Sequence, residues 1–144
     1  MQVHQILRSR PKSDVITVAP GSSIADAARL LAERRIGAVV VSKDGKIPLG
    51  ILSERDIVRD LGRRGAVCLG ETVDALMTRN LVSCAPSDTT DSVLEKMTTG
   101  RFRHMPVMEG EVMVGIISIG DVVAARISEL AMEKDALEGM IMGN

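Results

Sequence analysis

Aromatic residues are almost absent from this sequence of 144 residues: Phe102 stands alone, and there is no tryptophan or tyrosine. Proteins that bind single-stranded nucleic acid usually stack the bases on exposed aromatic rings, and this chain has no set of rings for that purpose. Its 18 basic and 19 acidic residues leave a net charge of −1, so the whole chain offers no electrostatic attraction to a polyanion. These features argue against a nucleic-acid partner, and the core must be built from aliphatic residues and methionine.

Cysteine and long apolar segments are also scarce. Cys68 and Cys84 are too few for a disulfide framework or a four-cysteine metal site, and they suit a reducing compartment. Neither His4 nor His104 lies near a second plausible ligand, so we predict no metal site. No apolar run approaches the roughly 18 residues of a membrane span, and residues 1–8 have no signal-peptide core. We therefore expect a cytoplasmic protein with no membrane partner.

The common catalytic motifs are missing as well. The sequence has no Gly-x-Gly-x-x-Gly, no phosphate-binding loop with its lysine, no nucleophile triad and no evident pair of catalytic carboxylates. We therefore expect no enzymatic activity and no catalytic cofactor.

What the sequence does contain is an internal repeat. Residues 15–20 match residues 81–86, so that Pro20 corresponds to Pro86, 66 positions later. Residues 50–53 match residues 115–118, 65 positions later. The one-residue deletion falls at a predicted turn, which is Asp-Gly in the first copy.

Each copy predicts the element order β-α-β-β-α. The first helix has Ser22 or Ser23 as its cap in one copy, and Ser87 or Asp88 in the other. The last helix of each copy begins near Ser53 or Ser118. The predicted strands are 15–18, 38–42 and 49–52 in the first copy, and 81–84, 105–108 and 113–117 in the second. We also predict a glycine-marked loop over 61–70, a short helix over 71–78 that matches residues 3–7 before copy one, and a continuing helix over 124–142.

The pattern predicts an α/β (α+β) fold of two pseudo-symmetric β-α-β-β-α repeats packed sheet to sheet. Residues 38–41 and 114–117 are apolar at nearly every position, which is typical of strands covered on both faces. One copy of about 50 residues would bury too little surface alone, so the copies should share one core. We place repeat 1 at 3–62, repeat 2 at 71–127 and a helical tail at 128–144.

These repeats resemble the CBS (cystathionine-β-synthase) domain, which occurs in tandem as a Bateman module. The resemblance rests on residues 50–57 and 115–122, which both read Gly-apolar-apolar-Ser-x-x-Asp-apolar. Residues 36–41 and 101–107 also fit. It extends from residue 3 to about residue 127, so we expect a stand-alone module.

By the resemblance, Asp56 and Asp121 would each bind a ribose, because a carboxylate can accept hydrogen bonds from two adjacent hydroxyls. Ser53 and Ser118 lie three residues earlier, at helix starts that favour a phosphate or a polar sugar atom. The same Ser-x-x-Asp spacing is also a helix capping box, which needs no ligand. Both interpretations stay open at this point.

The resemblance implies two clefts, each mixing residues of both repeats. One would combine Asp121 and Ser118 with Thr17, Ile36, Gly37 and Ala38. The other would combine Asp56 and Ser53 with Ser83, Phe102, Arg103 and His104. Pro106 and Ile116 complete the nucleotide-binding set, and Phe102 would cover the adenine or simply join the core. Arg101 and Arg55 would reach phosphates, unless they belong to a solvated surface.

The expected function is a regulatory module that binds AMP, ADP, ATP or NAD(H). Binding would report energy or redox state to an unknown target protein through a change in conformation or in a homodimer. Helices 53–62 and 121–135 would form the dimer interface. S-adenosylmethionine remains possible, although the arginines favour an anionic ligand. The alternative is a ligand-free dimerisation scaffold.

Overall fold

The computed structural model describes residues 1–9 and 15–142. They form two compact units: a second-repeat unit of residues 1–9, 83–108 and 115–142, and a first-repeat unit of residues 15–82 and 109–114. The helices are α1 (Val3–Ser9), α2 (Ile24–Arg34), α3 (Glu54–Arg64), α4 (Val73–Leu76), α5 (Thr90–Gly100) and α6 (Ile119–Ile141), with a 3-10 helix over Gly65–Gly70. The strands are β1 (Thr17–Val18), β2 (Ala38–Val41), β3 (Gly50–Ser53), β4 (His104–Glu109) and β5 (Val112–Ser118). This confirms the α/β class and the shared order of elements.

The first-repeat unit is organised around a three-stranded sheet in the order β1-β2-β3. β1 pairs with β2 in parallel, with Thr17 opposite Val40, and β2 pairs with β3 antiparallel, with Ala38 opposite Ser53. All four residues of β2 are buried, as their apolar character predicts. The unit has its own hydrophobic cluster, in which Ile24 and Leu31 of α2 join the inward residues of the sheet.

In the second-repeat unit the strand predicted at 81–84 is reduced to one bridge, between Cys84 and Val107. In the first repeat, the N–H of Val40 donates to the carbonyl oxygen of Ile16 at 3.2 Å. Pro106 stands at the position equivalent to Val40 and has no N–H, so this rung of the ladder cannot form. The strand prediction for 81–84 is therefore wrong because of a single proline in its partner.

The burial of β5 also differs from expectation. Met113, Gly115 and Ile117 are buried, while Val112 and Val114 are exposed. The strand therefore shows the alternation of period two found in a half-covered hairpin, although residues 112–117 include no polar side chain. A second hydrophobic cluster, containing Val93 and Met97 of α5, belongs to this unit. Each unit therefore has a cluster of its own, and a core shared by the two copies stays a prediction.

The leading helices of the two repeats are exchanged between the units. α1 precedes the first repeat in sequence but packs with the second: the N–H of Val3 donates to the carbonyl oxygen of Asp88 at 2.9 Å. α4 precedes the second repeat but packs with the first: the N–H of Val73 donates to the carbonyl oxygen of Ser22 at 2.8 Å. Each β-α-β-β-α unit is therefore completed by the helix that precedes the other repeat in sequence.

Side-chain caps begin the helices that support the sheets. Ser23 caps α2 by accepting a hydrogen bond from the N–H of Asp26 at 3.0 Å. In the second repeat Thr89, and neither Ser87 nor Asp88, caps α5. Asp88 instead accepts from the N–H of Ala85 at 2.9 Å and closes the turn around Pro86. The repeat offset of 66 positions leads from Ser23 to Thr89, so the correct cap was available from the sequence.

The segment between the repeats is helical where a loop was expected. α3 runs to Arg64, and the 3-10 helix that follows buries Cys68 completely. α4 is a single turn, shorter than the helix predicted over 71–78. The predicted tail at 128–144 is helical as far as Ile141, as an unbroken part of α6. Positions 143 and 144 lie outside the described residues.

Candidate functional site

The two Ser-x-x-Asp motifs form capping boxes with the same geometry. At α3 the N–H of Asp56 donates to Ser53 Oγ at 3.2 Å, and Asp56 Oδ2 accepts from the N–H of Ser53 at 3.0 Å. At α6 the N–H of Asp121 donates to Ser118 Oγ at 3.1 Å, and Asp121 Oδ2 accepts from the N–H of Ser118 at 2.9 Å. The capping interpretation is therefore correct at both positions.

Capping does not exhaust what these carboxylates can do. An ionised carboxylate has about four acceptor sites on two oxygens, and the backbone cap of Asp56 uses Oδ2. Its Oδ1 lies 4.0 Å from Nη1 of Arg59, and the side chain keeps 23% of its surface exposed. The cap ties the carboxylate to the backbone at the end of β3. A side chain held in this way is pre-organised to accept further hydrogen bonds, so the two interpretations are compatible.

A backbone hydrogen bond joins each motif to the segment before the central strand of its own unit. The N–H of Glu54 donates to the carbonyl oxygen of Gly37 at 2.9 Å, and the N–H of Ile119 donates to that of Arg103 at 2.8 Å. In the first-repeat unit this brings Ser53 to the stretch containing Ile36, Gly37 and Ala38, with Thr17 on the neighbouring strand β1. In the second-repeat unit it brings Ser118 to Phe102, Arg103 and His104. The crossed pairing of motifs given by the resemblance stays a prediction.

Lys96 is a candidate residue that the sequence analysis missed. Its Nζ lies 3.5 Å from the carbonyl oxygen of Ser83 and 3.9 Å from Oδ2 of Asp88. This places an ammonium group beside the predicted residue Ser83. The repeat gives no signal for it, because Leu30 occupies the equivalent position in α2.

The predicted phosphate-binding arginines are accessible. Arg55, Arg101 and Arg103 are all exposed, Arg55 as the second residue of α3 and the other two just after α5. Arg101 holds a left-handed backbone conformation, with φ 56°, and its N–H donates to the carbonyl oxygen of Met97. Exposed guanidinium groups next to a capped helix start are suited to binding an anion.

The remaining predicted residues lie deeper in the second-repeat unit. Phe102 is half-buried against the hydrophobic cluster of this unit, and its ring covers Gly100 so closely that a Cβ there would clash with Cε1. Phe102 therefore packs against the core of this unit, and its role as an adenine cover stays a prediction. Pro106 is buried within β4, while His104 and Ile116 are half-buried on β4 and β5.

A groove of about 520 Å³ lies between α2 and α3 of the first-repeat unit. Ile36 and Gly37 line it, together with Arg35, Glu54 and Val58. Ser53 and Asp56 are not among its lining residues, although Glu54 and Ile57, which follow them in the chain, do line it. Within residues 1–9 and 15–142 no cluster of histidine, cysteine or carboxylate side chains is suited to a metal ion, and no helix combines the length and apolar character of a membrane span.

Comparison with known proteins identifies the repeats. The model of the CBS domain matches residues 3–63 and 73–128. The chain is 30% identical over 148 residues to the mitochondrial CBS domain-containing protein CBSX3 of Arabidopsis thaliana, covering 98% of this chain and 72% of that one. It is 31% identical to CBSCBSPB2 of the same plant over 88% of this chain, but spans only 23% of that longer protein.

Solved structures agree with this assignment. The CBS-domain containing protein ATU1752 from Agrobacterium tumefaciens matches with a TM-score of 0.82 and 46% identity, covering 88% of this chain and 99% of the other. The CBS domain protein PAE2072 from Pyrobaculum aerophilum, complexed with AMP, matches with a TM-score of 0.77 and 25% identity over 92% and 99% of the two chains. The CBS domain pair of protein MJ0100, in complex with 5-methylthioadenosine and S-adenosyl-L-methionine, matches with a TM-score of 0.76 and 25% identity over 90% and 98%. The chain belongs to the CBS domain family and carries two copies of the domain.

Proposed function

We propose that this chain is a non-catalytic regulatory module that binds an adenine nucleotide, with Asp56 and Asp121 as the residues that accept the ribose hydroxyls. The observation that carries the proposal is the pair of capping boxes, which hold these two carboxylates by the same backbone hydrogen bond at equivalent positions. AMP, 5-methylthioadenosine and S-adenosyl-L-methionine, the ligands of the two similar structures, share one adenosine group. A carboxylate that binds the ribose would therefore serve every ligand of this class.

The surrounding charge favours an anionic member of this ligand class. Arg101 and Arg103 are exposed beside the segment that contacts the start of α6, and Lys96 lies beside Ser83. These cations suit the phosphates of AMP, ADP, ATP or NAD(H) better than the sulfonium group of S-adenosylmethionine.

A second candidate function is a ligand-free dimerisation scaffold. Val58 on α3 and Val123 on α6 are large apolar side chains that remain exposed, which is typical of surfaces that meet another protein. In this candidate a homodimer forms through helices 53–62 and 121–135 without a ligand. In the sensor, the same homodimer would pass the change that the nucleotide causes to an unidentified target protein. The two free, buried cysteines suit a cytoplasmic location.

A thermal-shift panel distinguishes the sensor from the scaffold. The ligands are AMP, ADP, ATP, NAD, NADH and S-adenosylmethionine. The proteins are the wild type, Asp56→Glu and Asp121→Glu, because glutamate keeps the capping box but displaces the carboxylate. Asp26→Glu is the matched control, since Asp26 follows Ser23 at the same spacing on α2.

A ligand at about 100 times its dissociation constant stabilises the folded state by roughly 2.7 kcal/mol, a shift of several degrees. We expect at least one nucleotide to produce this shift in the wild type and in Asp26→Glu, and one motif variant to abolish it. If folded, ligand-free protein shows no shift with any of these ligands, the sensor is rejected in favour of the scaffold.

A further inference from the structure

The last helix, α6, carries an apolar stripe that its own chain does not cover. The stripe consists of Val123, Ile127, Leu130, Leu137 and Ile141, whose side chains are between 39% and 84% exposed. With Lys134 between them, these positions follow one another at intervals of four, three, four, three and four residues. This spacing is a heptad repeat sustained over the outer part of α6.

The residue types at these positions favour one particular assembly. Ile127, Lys134 and Ile141 fall at the a positions of the heptad, and Val123, Leu130 and Leu137 fall at the d positions. Isoleucine at a with leucine at d favours a parallel, two-stranded coiled coil. A single lysine at an a position costs some stability but fixes the register and the number of strands.

The outer part of α6 needs such a partner. Residues 131–138 are all exposed, and Gly139 weakens the helix further. A helical segment of this length without tertiary contacts is marginal in water, because most helical stability comes from packing an amphipathic face. The stripe presents roughly 500 Å² of apolar surface per copy, so that two copies bury about the 1,000 Å² that a specific interface needs.

We propose that residues 123–141 of α6 pair with the same residues of a second copy of this chain as a parallel, two-stranded coiled coil. Each knob of a coiled coil enters a hole formed by four residues of the facing helix. In the parallel register, the hole that receives Lys134 is flanked by Glu133 of the second copy. The buried lysine therefore meets an opposite charge, and this pair distinguishes the partner from an unrelated apolar helix. The proposal rests on the homodimer proposed above but not on the nucleotide.

The first test compares two exposed apolar residues on different faces of α6. Leu137 and Met132 are 59% and 62% exposed, but Leu137 lies in the stripe and Met132 at the outer f position. Sedimentation equilibrium should show a dimer for the wild type, at least a tenfold loss of dimer affinity for Leu137→Lys, and wild-type affinity for Met132→Lys. A monomeric or trimeric wild type overturns the proposal, as does an equal effect of the two substitutions.

The second test reports the direction of the helices. The native Cys68 and Cys84 are buried, so an introduced surface thiol can be read separately. With oxidised glutathione as the electron acceptor, Leu137→Cys should form a disulfide-linked dimer on a non-reducing gel, because equivalent d positions face each other in a parallel coil. Met132→Cys should not. Equal crosslinking of the two variants contradicts the coiled coil, and neither outcome depends on whether any nucleotide binds.

Discussion

At the scale of single residues, two arginines hold a backbone conformation that favours glycine. Arg35 and Arg101 end α2 and α5 with φ 53° and φ 56°, and their N–H groups donate to the carbonyl oxygens of Leu31 and Met97. A side chain in this left-handed region costs about 1 kcal/mol. Both arginines directly precede the segments that contact the motif helices. The strain therefore recurs at equivalent positions next to the candidate site.

Replacing Arg35 with glycine should relieve this strain. We expect Arg35→Gly to raise the free energy of unfolding by about 1 kcal/mol, because glycine adopts positive φ without steric cost. Arg34→Gly is the matched control: Arg34 is the last residue of α2 proper, and glycine there should lower stability by up to about 1 kcal/mol. Urea denaturation measures both values. A destabilising Arg35→Gly would show that the arginine side chain makes contacts worth more than the strain.

The Ser-x-x-Asp motif shows how far residue types alone can specify a site. A helix cap and a ribose contact require the same acceptor at the same helix start, so the sequence could identify Asp56 and Asp121 but not separate their two roles. The structure adds the geometry: the cap of Asp56 uses Oδ2, and its Oδ1 lies 4.0 Å from Arg59. The sequence could not indicate Lys96, because its contact with Ser83 joins α5 to a segment 13 positions earlier.

At the scale of elements, Arg64 joins the end of α3 to the segment that leads into α4. Its guanidinium donates to both carboxylate oxygens of Asp60, at 2.6 and 3.0 Å, and to both of Glu71, at 2.6 and 2.7 Å. The hydrogen bonds from Arg64 hold the pKa of Asp60 and the pKa of Glu71 below their ordinary values. We call these four hydrogen bonds the Arg64 fork. The fork links the two residues that flank the 3-10 helix, Arg64 and Glu71, and this helix has no side-chain cap of its own.

The fork should make stability depend on pH in the acid range. Both carboxyls have a lower pKa in the folded state, so their contribution is complete above the unfolded pKa of about 4 and disappears as the pH falls through the folded value. Between pH 6 and pH 3, the urea midpoint of the wild type should therefore fall more steeply than that of Arg64→Met. Arg63→Met, which removes a neighbouring charge, should retain most of the wild-type slope. Identical slopes for wild type and Arg64→Met would contradict the role of the fork.

Element types were predictable wherever the local pattern was complete. Ser53 and Ser118 start their helices as expected, and the apolar run at 38–41 forms a buried strand. The prediction of a strand at 81–84 is wrong because the pairing of this segment depends on Pro106, a residue of the partner strand. The glycines within 61–70 predict a loop, and no local pattern in this segment indicates that Cys68 is buried.

At the scale of the whole molecule, two repeat-related glycines make room for the exchanged leading helices. A Cβ at Gly50 would lie 2.6 Å from Sδ of Met77 and 3.0 Å from the carbonyl oxygen of Thr78. A Cβ at Gly115 would lie 2.8 Å from Cδ2 of Leu7. The first residue of each Gly-apolar-apolar-Ser motif is therefore a packing requirement of the fold. No local pattern could reveal it, because the contacts link distant parts of the chain.

Alanine at these glycines should destabilise the units unequally. We expect Gly50→Ala to lower the free energy of unfolding by about 2 kcal/mol, because it meets backbone as well as a side chain. Gly115→Ala should cost about 1 kcal/mol, since the end of Leu7 can move. Gly62→Ala is the control: it lies within α3 with nothing near its Cβ, and should stabilise by roughly 0.5–1 kcal/mol. Thermal denaturation gives the order, and a Gly50→Ala as stable as Gly62→Ala would contradict the packing described.

The measurement that tests nucleotide binding most directly is calorimetric titration with AMP and 2′-deoxy-AMP. If a motif carboxylate accepts the 2′-hydroxyl, the wild type should bind AMP at least tenfold more tightly than the deoxy nucleotide, equivalent to about 1.4 kcal/mol. Asp56→Glu or Asp121→Glu should lose that preference while keeping its capped helix and its stability, and Asp26→Glu should keep the preference. Equal binding of the two nucleotides by the wild type, or a preference that survives in both motif variants, would contradict the proposed role of these aspartates.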